Sequence, residues 1–258
     1  MMHLTQQEID YVKSFVGVDF IVIDTETTGV GITDEALSVA IVNQDGDELF
    51  YKFVKPTNHR RWDEAEKKHG ITWNMVKDEK PLSYYYNDIR AIVDNADLVV
   101  GYNLEFDLKR FDEPGLYLHP KMTFDLMRMY AKAYGKWSSY FNDYKWEKLT
   151  DVARHYGCKF EAHNSLEDAR ATAYCYKRFL EDCQNAIPID PRSTSINTAA
   201  YKQPAKKKNV AVTVLIALCF ISFLAASISN FGMTTLGYYI EVMLAIVFGV
   251  LLVMRFRK

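Results

Sequence analysis

Two long apolar segments near the end of the chain constrain its architecture most. Residues 210–229 contain no charged residue, and residues 236–254 contain one, Glu241. Each segment is long enough to cross the roughly 30 Å hydrocarbon core of a bilayer as a helix, and a short polar turn at 230–235 separates them. The sequence therefore predicts a transmembrane hairpin over residues 210–258, with spans at about 210–229 and 236–254.

Basic residues at both outer ends of this hairpin predict its orientation. Three lysines at 206–208 precede the first span, and Arg255, Arg257 and Lys258 follow the second. Loops rich in Lys and Arg stay on the cytoplasmic side of a membrane. The amino-terminal residues also lack the apolar segment of a signal peptide. We therefore expect a multi-pass membrane protein with two spans, membrane lipid as a partner, and both termini in the cytoplasm.

The remaining sequence divides into a folded domain, residues 1–185, and a flexible basic linker, residues 186–209. The linker is rich in Pro, Ser, Thr and Lys and has little hydrophobic periodicity. The whole chain carries −2, and residues 186–258 hold eight Lys/Arg and two Asp/Glu, so the domain carries −8. An acidic domain argues against a broad basic surface that would attract nucleic acid. It still allows a small cleft in which bound cations make the electrostatic potential positive.

Hydrophobic patterns within residues 1–185 predict an α/β domain with a mixed sheet flanked by helices. The strands are expected at 20–23, at two places within 36–54 around a turn at Asp45 and Gly46, and at 96–103. The helices are expected at 81–95, from 104 to 111, at 121–135, at 146–157 and at 165–183. The four cysteines show no C-x-x-C spacing, which suits a reducing compartment without a disulfide framework.

The first buried strand ends in two carboxylates, Asp24 and Glu26. Side chains two residues apart on an extended chain point to the same side. Like charges at this distance repel, and one carboxylate beside another tends to hold its proton. A divalent cation removes the repulsion, and oxygen ligands of this kind suit Mg²⁺ or Mn²⁺.

Two more acids qualify as partners of this pair. Asp107 follows the strand at 96–103, while Asp168 lies in the first turn of the last helix, five residues after His163. Each has an ordinary structural explanation when it is considered alone. Asp107 would complement a helix dipole, and Ser165 with Asp168 matches a helix-capping pattern. Their order along the chain makes the functional interpretation stronger than any single residue does.

The combined motifs resemble the DEDDh 3′–5′ exonucleases, a family typified by the proofreading subunit of bacterial replicative DNA polymerase. Its strand motif D-x-E-T-T-G matches "DTETTG" at 24–29, its N-x-x-F-D matches "NLEFD" at 103–107, and its H-x-A-x-x-D matches "HNSLED" at 163–168. The segment "HGIT" at 69–72 is also similar to a family loop. The resemblance covers roughly residues 18–182, and it departs at Tyr102, where many members have His, and at Ser165, where Ala is usual.

The resemblance implies an RNase H-like fold and a metal-dependent hydrolase that cuts phosphodiester bonds at the 3′ end of nucleic acid, with single strands as the expected substrate. It implies two Mg²⁺ or Mn²⁺ ions, one activating a water and the other stabilising the departing 3′ oxygen. His163 would act as the general base, since its unperturbed pKa is about 6.5. The implied metal ligands are Asp24, Glu26, Asp107 and Asp168, and the implied contacts to the terminal nucleotide are Thr27, Thr28, His69 and Phe106.

Two other functions are compatible with parts of the sequence. A nucleic-acid-binding module that has lost catalysis would keep the fold, and a membrane scaffold protein would use the hairpin at 210–258 as its functional part. The intact set of five motif residues favours the enzyme over both. DNA and RNA both stay open as substrates, because that choice rests on contacts to the 2′ position and no motif here concerns it.

Overall fold

The computed structural model describes residues 2–112 and 117–188 of the 258-residue chain. Within these residues a five-stranded sheet has the order β3-β2-β1-β4-β5. Strand β2 pairs antiparallel with β1 and β3, whereas β4 pairs parallel with β1 and β5 parallel with β4, so the sheet is mixed as predicted. The strands are β1 (Phe20–Thr27), β2 (Ala36–Asn43), β3 (Glu48–Phe53), β4 (Leu98–Gly101) and β5 (Thr123–Asp125).

Helices cover both faces of this sheet, and a separate two-stranded hairpin follows the sixth helix. The hairpin strands are β6 (Trp137–Ser138) and β7 (Asp143–Tyr144). A short 3-10 helix, Lys109–Phe111, continues the fifth helix. In the described part of the chain the α-helices are α1 (Gln6–Lys13), α2 (Asp63–His69), α3 (Trp73–Val76), α4 (Leu82–Asn95), α5 (Leu104–Leu108), α6 (Leu126–Tyr134), α7 (Leu149–His155) and α8 (Ser165–Gln184).

Strand β1 lies at the centre of the sheet and is apolar on both sides. Phe20 belongs to one core cluster, where its ring centroid lies 4.8 Å from that of Tyr176 on α8. The next residue, Ile21, belongs to a second cluster with Ile89 on α4. Successive strand residues point to opposite faces. A continuous apolar run is therefore what a strand between two helical layers requires, and the core forms on both sides of β1.

Most predicted elements are confirmed with different bounds: β1 is longer than the expected 20–23, whereas several others are shorter. The strand expected at 96–103 is β4, Leu98–Gly101, and the helix expected at 146–157 is α7, Leu149–His155. The hairpin turn at Asp45 and Gly46 joins β2 to β3, and Gly46 has φ 83°, a left-handed conformation that favours glycine. Turn chemistry and apolar periodicity were therefore reliable guides to the existence of these elements.

Two local predictions were wrong. The segment 121–135 was expected to be helical throughout, but residues Thr123–Asp125 form strand β5 and the helix α6 starts only at Leu126. Pairing of β5 with β4 outweighs the helical pattern of these residues, because it extends the sheet and buries Phe124. The cap of α8 is Asn164, whose side chain accepts from the backbone of Leu166 and Glu167; the capping pattern starting at Ser165 is not used.

The predicted linker lies almost entirely outside the described residues, and both predicted transmembrane spans lie wholly outside them. Among residues 2–112 and 117–188, no helix combines the length and the apolar character that a membrane crossing needs. The hairpin at 210–258 and its orientation therefore stay predictions from the sequence.

Candidate active site

Strand β1 positions the first two predicted metal ligands. Asp24 and Glu26 continue the alternation that starts with Phe20, so both lie on the face of the sheet covered by α8. The register of the sheet places Glu26 opposite Ser38 on the neighbouring strand β2. Both acids lie inside the strand, which extends to Thr27, rather than in a loop after it. The sheet therefore fixes the backbone of both acids.

The start of α8 brings Asp168 to Glu26. The buried hydroxyls of Ser165 and Ser38 lie 2.8 Å apart in a hydrogen bond, which attaches the first turn of α8 to strand β2. Ser165, the departure from the family pattern, therefore has a structural role here. His163 precedes the helix with φ 68°, and its backbone N–H donates to Asp168 Oδ2 at 3.1 Å. As a result, ligand atoms of Glu26, His163 and Asp168 all lie within 4.8 Å of one another.

Asp107 reaches the cluster from the opposite face of the sheet. It lies on α5 and is buried, with 3% of its surface exposed. Its Oδ1 accepts hydrogen bonds from the backbone N–H of Thr25 at 2.9 Å and from the Thr25 hydroxyl at 2.7 Å. Thr25 stands between the two acids of β1, so these bonds fix Asp107 beside that pair.

The four acids form a region of concentrated negative charge. Burial, followed by the charges of Asp107, Asp168 and Glu26, raises the pKa of Asp24 well above its usual range. Burial and the neighbouring acids likewise raise the pKa of Glu26 to about 8. The pKa values of Asp107 and Asp168 rise to about 7, mainly because these groups are buried. In the protein alone the carboxylates therefore retain protons near neutral pH, because few donors balance their charge.

A cavity of about 750 Å³ opens beside Glu26 and His163. Its lining includes all four residues predicted to contact a terminal nucleotide: Thr27, Thr28, His69 and Phe106. The cavity therefore brings together residues that are up to 138 positions apart in the sequence, Thr25 and His163 being the most distant pair. Sequence reasoning did not identify several other lining residues, among them Arg61, Trp62 and Lys68.

The two threonines after the acids hold the loop at the rim of this cavity. The Thr27 hydroxyl donates to the carbonyl of Gly29 at 2.7 Å, and the Thr28 hydroxyl donates to Asp34 Oδ1 at 2.8 Å. A side chain at Gly29 would place its Cβ 2.6 Å from the Asp34 carboxylate and would displace the acceptor that holds Thr28. Both hydroxyls are thus engaged within the protein, and the threonine surfaces still face the cavity.

His69 has a defined tautomer. Its Nδ1 accepts from the backbone N–H of Ile71 at 3.0 Å, so the proton lies on Nε2, which then donates to the carbonyl of Thr27 at 3.1 Å. Burial lowers the pKa of His69 below its usual value, which favours the neutral ring. His69 therefore links the helix α2 to the end of strand β1, in addition to lining the cavity.

Arg110 and Asp125 support the site, and sequence reasoning missed both. The Arg110 guanidinium lies 4.7 Å from the ring centroid of Phe106, and it donates to the carbonyls of Gly31 and Asp34. Asp125 caps α6, and its Oδ1 accepts from the backbone N–H of Asn103 at 3.3 Å. Asp125 ends the short strand β5, and an acid at the end of a strand was the signal that could have identified it. The signal was missed because residues 121–135 were assigned to a helix.

The donor atoms of this cluster fit a hard divalent cation. Carboxylate oxygens converge from β1, α5 and α8, and their raised pKa values mean that the protein itself does not neutralise them. A neighbouring imidazole and an adjoining cavity large enough for a nucleotide complete the arrangement. Such a site can hold a phosphate group and accept a proton beside it.

Comparison with known proteins agrees with this geometry. The profile of the exonuclease (RNase_T) family matches residues 21–176. The uncharacterized exonuclease CP81 of Escherichia phage 186 is 31% identical over 172 residues, covering 62% of this chain and 87% of the phage protein. The PolC-type DNA polymerase III of Thermotoga petrophila is 30% identical over 188 residues, which are 68% of this chain but 13% of the polymerase.

A solved structure shows the same fold. E. coli exonuclease I in complex with a dT13 oligonucleotide matches with a TM-score of 0.51 and 18% sequence identity, over 65% of this chain and 42% of that chain. This likeness confirms the RNase H-like α/β fold with a mixed sheet and flanking helices. The chain spans most of the phage protein but only a small part of the polymerase and less than half of exonuclease I.

Proposed function

Since this chain belongs to the exonuclease (RNase_T) family, we propose that it is a DEDDh-type 3′–5′ exonuclease that hydrolyses phosphodiester bonds at the 3′ ends of nucleic acid. The observation that carries the proposal is the convergence of Asp24, Glu26, Asp107 and Asp168 with His163. These side chains adjoin a cavity lined by Thr27, Thr28, His69 and Phe106.

The four carboxylates are proposed to hold divalent cations, two Mg²⁺ or Mn²⁺ ions. Bound cations would polarise the scissile phosphate and make a water molecule more acidic. The protein would hold these four carboxylates in fixed positions. Asp24 and Glu26 are held by the central strand, Asp107 by two bonds from Thr25, and Asp168 by the backbone of His163.

His163 is proposed as the general base. Its backbone is fixed in a left-handed conformation, and its imidazole nitrogen lies in the group of ligand atoms that includes Glu26 and Asp168. The side chain is otherwise exposed, so it can exchange its proton with solvent after each cycle. An imidazole nitrogen can accept a proton from a water molecule and release it to solvent, which suits repeated proton transfer.

The terminal nucleotide is proposed to bind in the 750 Å³ cavity. Phe106 offers an apolar ring to a sugar or base, and the Arg110 guanidinium behind it holds the ring in place. His69 donates its Nε2 proton to Thr27 and so closes one side of the cavity. An open single strand, with its last bases unpaired, is the proposed substrate, and both DNA and RNA meet this description.

Digestion of a 5′-labelled 30-nucleotide single strand tests the proposal. With Mg²⁺ or Mn²⁺ we expect a ladder of products that shorten from the 3′ end, and with EDTA we expect no products. A strand whose 3′-terminal linkages are phosphorothioates should resist digestion, which fixes the direction. Matched DNA and RNA strands identify the preferred sugar. Absence of shortening with either metal, or shortening from the 5′ end, would refute the proposal.

A membrane anchor is proposed for the tail. Its support is the sequence: two apolar segments at 210–229 and 236–254, with basic residues at both outer ends. The basic linker at 186–209 would keep the domain close to anionic headgroups on the cytoplasmic side. The domain would then act on nucleic acid near a membrane surface.

Fractionation of the full-length protein tests this anchor. We expect it to stay with membranes during carbonate extraction, and truncation after Asn185 to release an active domain into the soluble fraction. Labelling of single cysteines should find 230–235 on the far side of the membrane and Lys258 in the cytoplasm. Labelling of Lys258 and the linker on opposite sides would rule out the hairpin.

A further inference from the structure

The hairpin formed by β6 and β7 lies between helices α6 and α7 and is closed by backbone contacts at its base. It leaves helix α6 directly through Gly135, where a Cβ atom would lie 2.7 Å from the carbonyl oxygen of Lys145. The backbone N–H of Lys145 donates to the carbonyl of Lys136 at 2.8 Å and closes the base. At the tip, Asn142 takes a left-handed conformation with φ 51°, which ends the loop in four residues.

This hairpin exposes four large aromatic side chains. Tyr140 is 88% exposed, Phe141 70%, Trp146 60% and Trp137 43%. The Tyr140 and Phe141 rings contact each other edge to face with centroids 4.8 Å apart, so part of each ring is held by its neighbour. Exposed aromatic rings on a rigid support are the usual form of a stacking platform for bases.

Lysines are interleaved with these rings. Lys136, Lys145 and Lys148 are exposed, and none of them forms an ion pair with any residue that the structure describes. By contrast, Lys109 pairs with Glu105 at 2.8 Å. The segment 136–148 also contains Asp143 and Glu147, so it carries a net charge of +1, whereas the domain as a whole carries −8. Rings with adjacent cations complement the bases and phosphates of a single strand.

A hydrogen bond connects this region to the catalytic edge of the sheet. The hydroxyl of Tyr102 donates to the backbone carbonyl of Glu147, the residue after Trp146. Tyr102 directly precedes Asn103, which starts the helix that carries Phe106 and Asp107. The base of the hairpin is therefore attached to the same strand end that positions the proposed nucleotide contacts.

From these observations we propose that the segment 136–148 is an accessory binding site for single-stranded nucleic acid, occupied by nucleotides upstream of the 3′ end. Its rings stack on bases, and its three lysines contact phosphates. The inference rests on the proposed function, since it assumes that the strand enters at the catalytic edge. It predicts that a long strand binds more tightly than a short one.

Binding of fluorescent single strands of 6 and 30 nucleotides tests this site. The full-length protein in detergent micelles is used with Asp24→Asn, so that the strand stays intact. Adding Tyr140→Ala with Phe141→Ala should weaken binding of the 30-nucleotide strand by about 5- to 150-fold for each lost stack, and the affinity ratio of long to short strands should fall towards one. Tyr84→Ala, at a ring on α4 that is 64% exposed, is the matched control and should leave the ratio unchanged.

A second pair of substitutions tests the lysines. Lys136→Gln with Lys145→Gln should reduce the slope of log affinity against log salt by about 0.7 for each lost phosphate contact. An unchanged ratio in the aromatic variant, or an unchanged slope in the lysine variant, would overturn the assignment. A third result would also overturn it. If the aromatic variant kept its affinity for the strand but lost the quenching of its tryptophans by brominated lipid in vesicles, the β6–β7 hairpin would be assigned to the membrane surface. Absence of turnover in the wild-type protein would refute the proposed function and leave these binding measurements interpretable.

Discussion

Two acidic side chains that lie close together in the sequence, Glu26 and Glu35, have pKa values shifted in opposite directions. Burial and neighbouring acids raise the pKa of Glu26 to about 8. Nine residues later, burial also acts to raise the pKa of Glu35, but hydrogen bonds from Thr57, His59 and Asn58 outweigh it and hold the pKa at about 2. The difference is the supply of donors, because the protein provides them for Glu35 and few of them for Glu26.

Glu35 is a structural carboxylate with its hydrogen bonds satisfied by the protein, whereas the Glu26 carboxylate is available to a ligand. Glu35 accepts from the backbone N–H groups of Thr57, Asn58 and His59, with distances of 2.6 to 3.2 Å, and so fixes the loop that follows β3. No described residue donates a hydrogen bond to the Glu26 carboxylate, and burial acts on it together with the charges of Asp168 and Asp107. A buried carboxylate that lacks donors and lies beside other acids is stable in ionised form only when cations arrive from outside the chain.

The largest expected effect is the loss of turnover when one of the donor-poor acids is neutralised. Asp24→Asn should lower the rate of digestion by at least about 10³-fold, since a lost ligand removes several kcal/mol of charge stabilisation in the transition state. Digestion of a 5′-labelled strand in Mg²⁺ measures the effect, and circular dichroism checks the fold. Glu35→Gln is the matched control, and at a temperature where it is folded it should digest at nearly the wild-type rate. Near-wild-type digestion by Asp24→Asn would contradict the site assignment.

The next effect concerns His163, whose imidazole nitrogen lies within 4.8 Å of carboxylate oxygens of Glu26 and Asp168. His163→Ala should lower turnover by about 10²- to 10⁴-fold, the usual contribution of one general base. Metal binding measured by calorimetry should persist in this variant, which separates loss of the base from loss of a ligand. If the rate stayed as in the wild type, His163 would have a structural role only.

The motif spacing picked out acids that lie close together in the structure, and their role as metal ligands stays a prediction. It could not predict which acids would have hydrogen-bond donors, since those donors come from distant segments, as Thr25 does for Asp107 across 82 positions. Glu35 was not identified as a clamp for the same reason. Its donors lie more than 20 residues away, in a loop with no regular pattern.

The fold shows the same division between local and long-range information. Helix α8 and strands β1 to β3 follow directly from apolar periodicity and turn residues. Strand β5 has three residues and is extended because β4 is beside it, so its own sequence carries little signal. That error concealed Asp125, which supports Asn103 at the edge of the site.

A smaller effect is expected on stability as a function of pH. The pKa of Glu26 is 4.5 in the unfolded chain and about 8 in the fold without metal, so the folded state binds more protons in this interval. Stability in EDTA should therefore fall as pH rises from about 5 to about 8, and saturating Mg²⁺ should flatten this dependence. Glu26→Gln should stabilise the metal-free protein at pH 8 by about 1–3 kcal/mol relative to the wild type. Urea unfolding followed by tryptophan fluorescence measures it, since all four tryptophans lie within residues 1–185.

The outcome at acidic pH completes that test. At pH 4 the wild-type protein and Glu26→Gln should have similar stabilities, because the Glu26 side chain is protonated in both states of the wild type. Equal stabilities at pH 8 in EDTA would mean that the protein supplies donors to Glu26 after all, and the contrast with Glu35 would fail.

The smallest effect is expected at Glu35, where the sign of the pH dependence is reversed. Glu35→Gln should lower stability at pH 7 by about 1–2 kcal/mol, because hydrogen bonds to a charged acceptor become bonds to a neutral one. The pKa of Glu35 is lowered from 4.5 to about 2, so its contribution is present above pH 4.5 and is lost as pH falls towards 2. The difference between variant and wild type should therefore shrink below pH 4, whereas the difference for Glu26→Gln grows above it. Mg²⁺ should leave the Glu35→Gln difference unchanged, and a difference that disappeared on adding Mg²⁺ would show that Glu35 belongs to the same electrostatic unit as the catalytic acids.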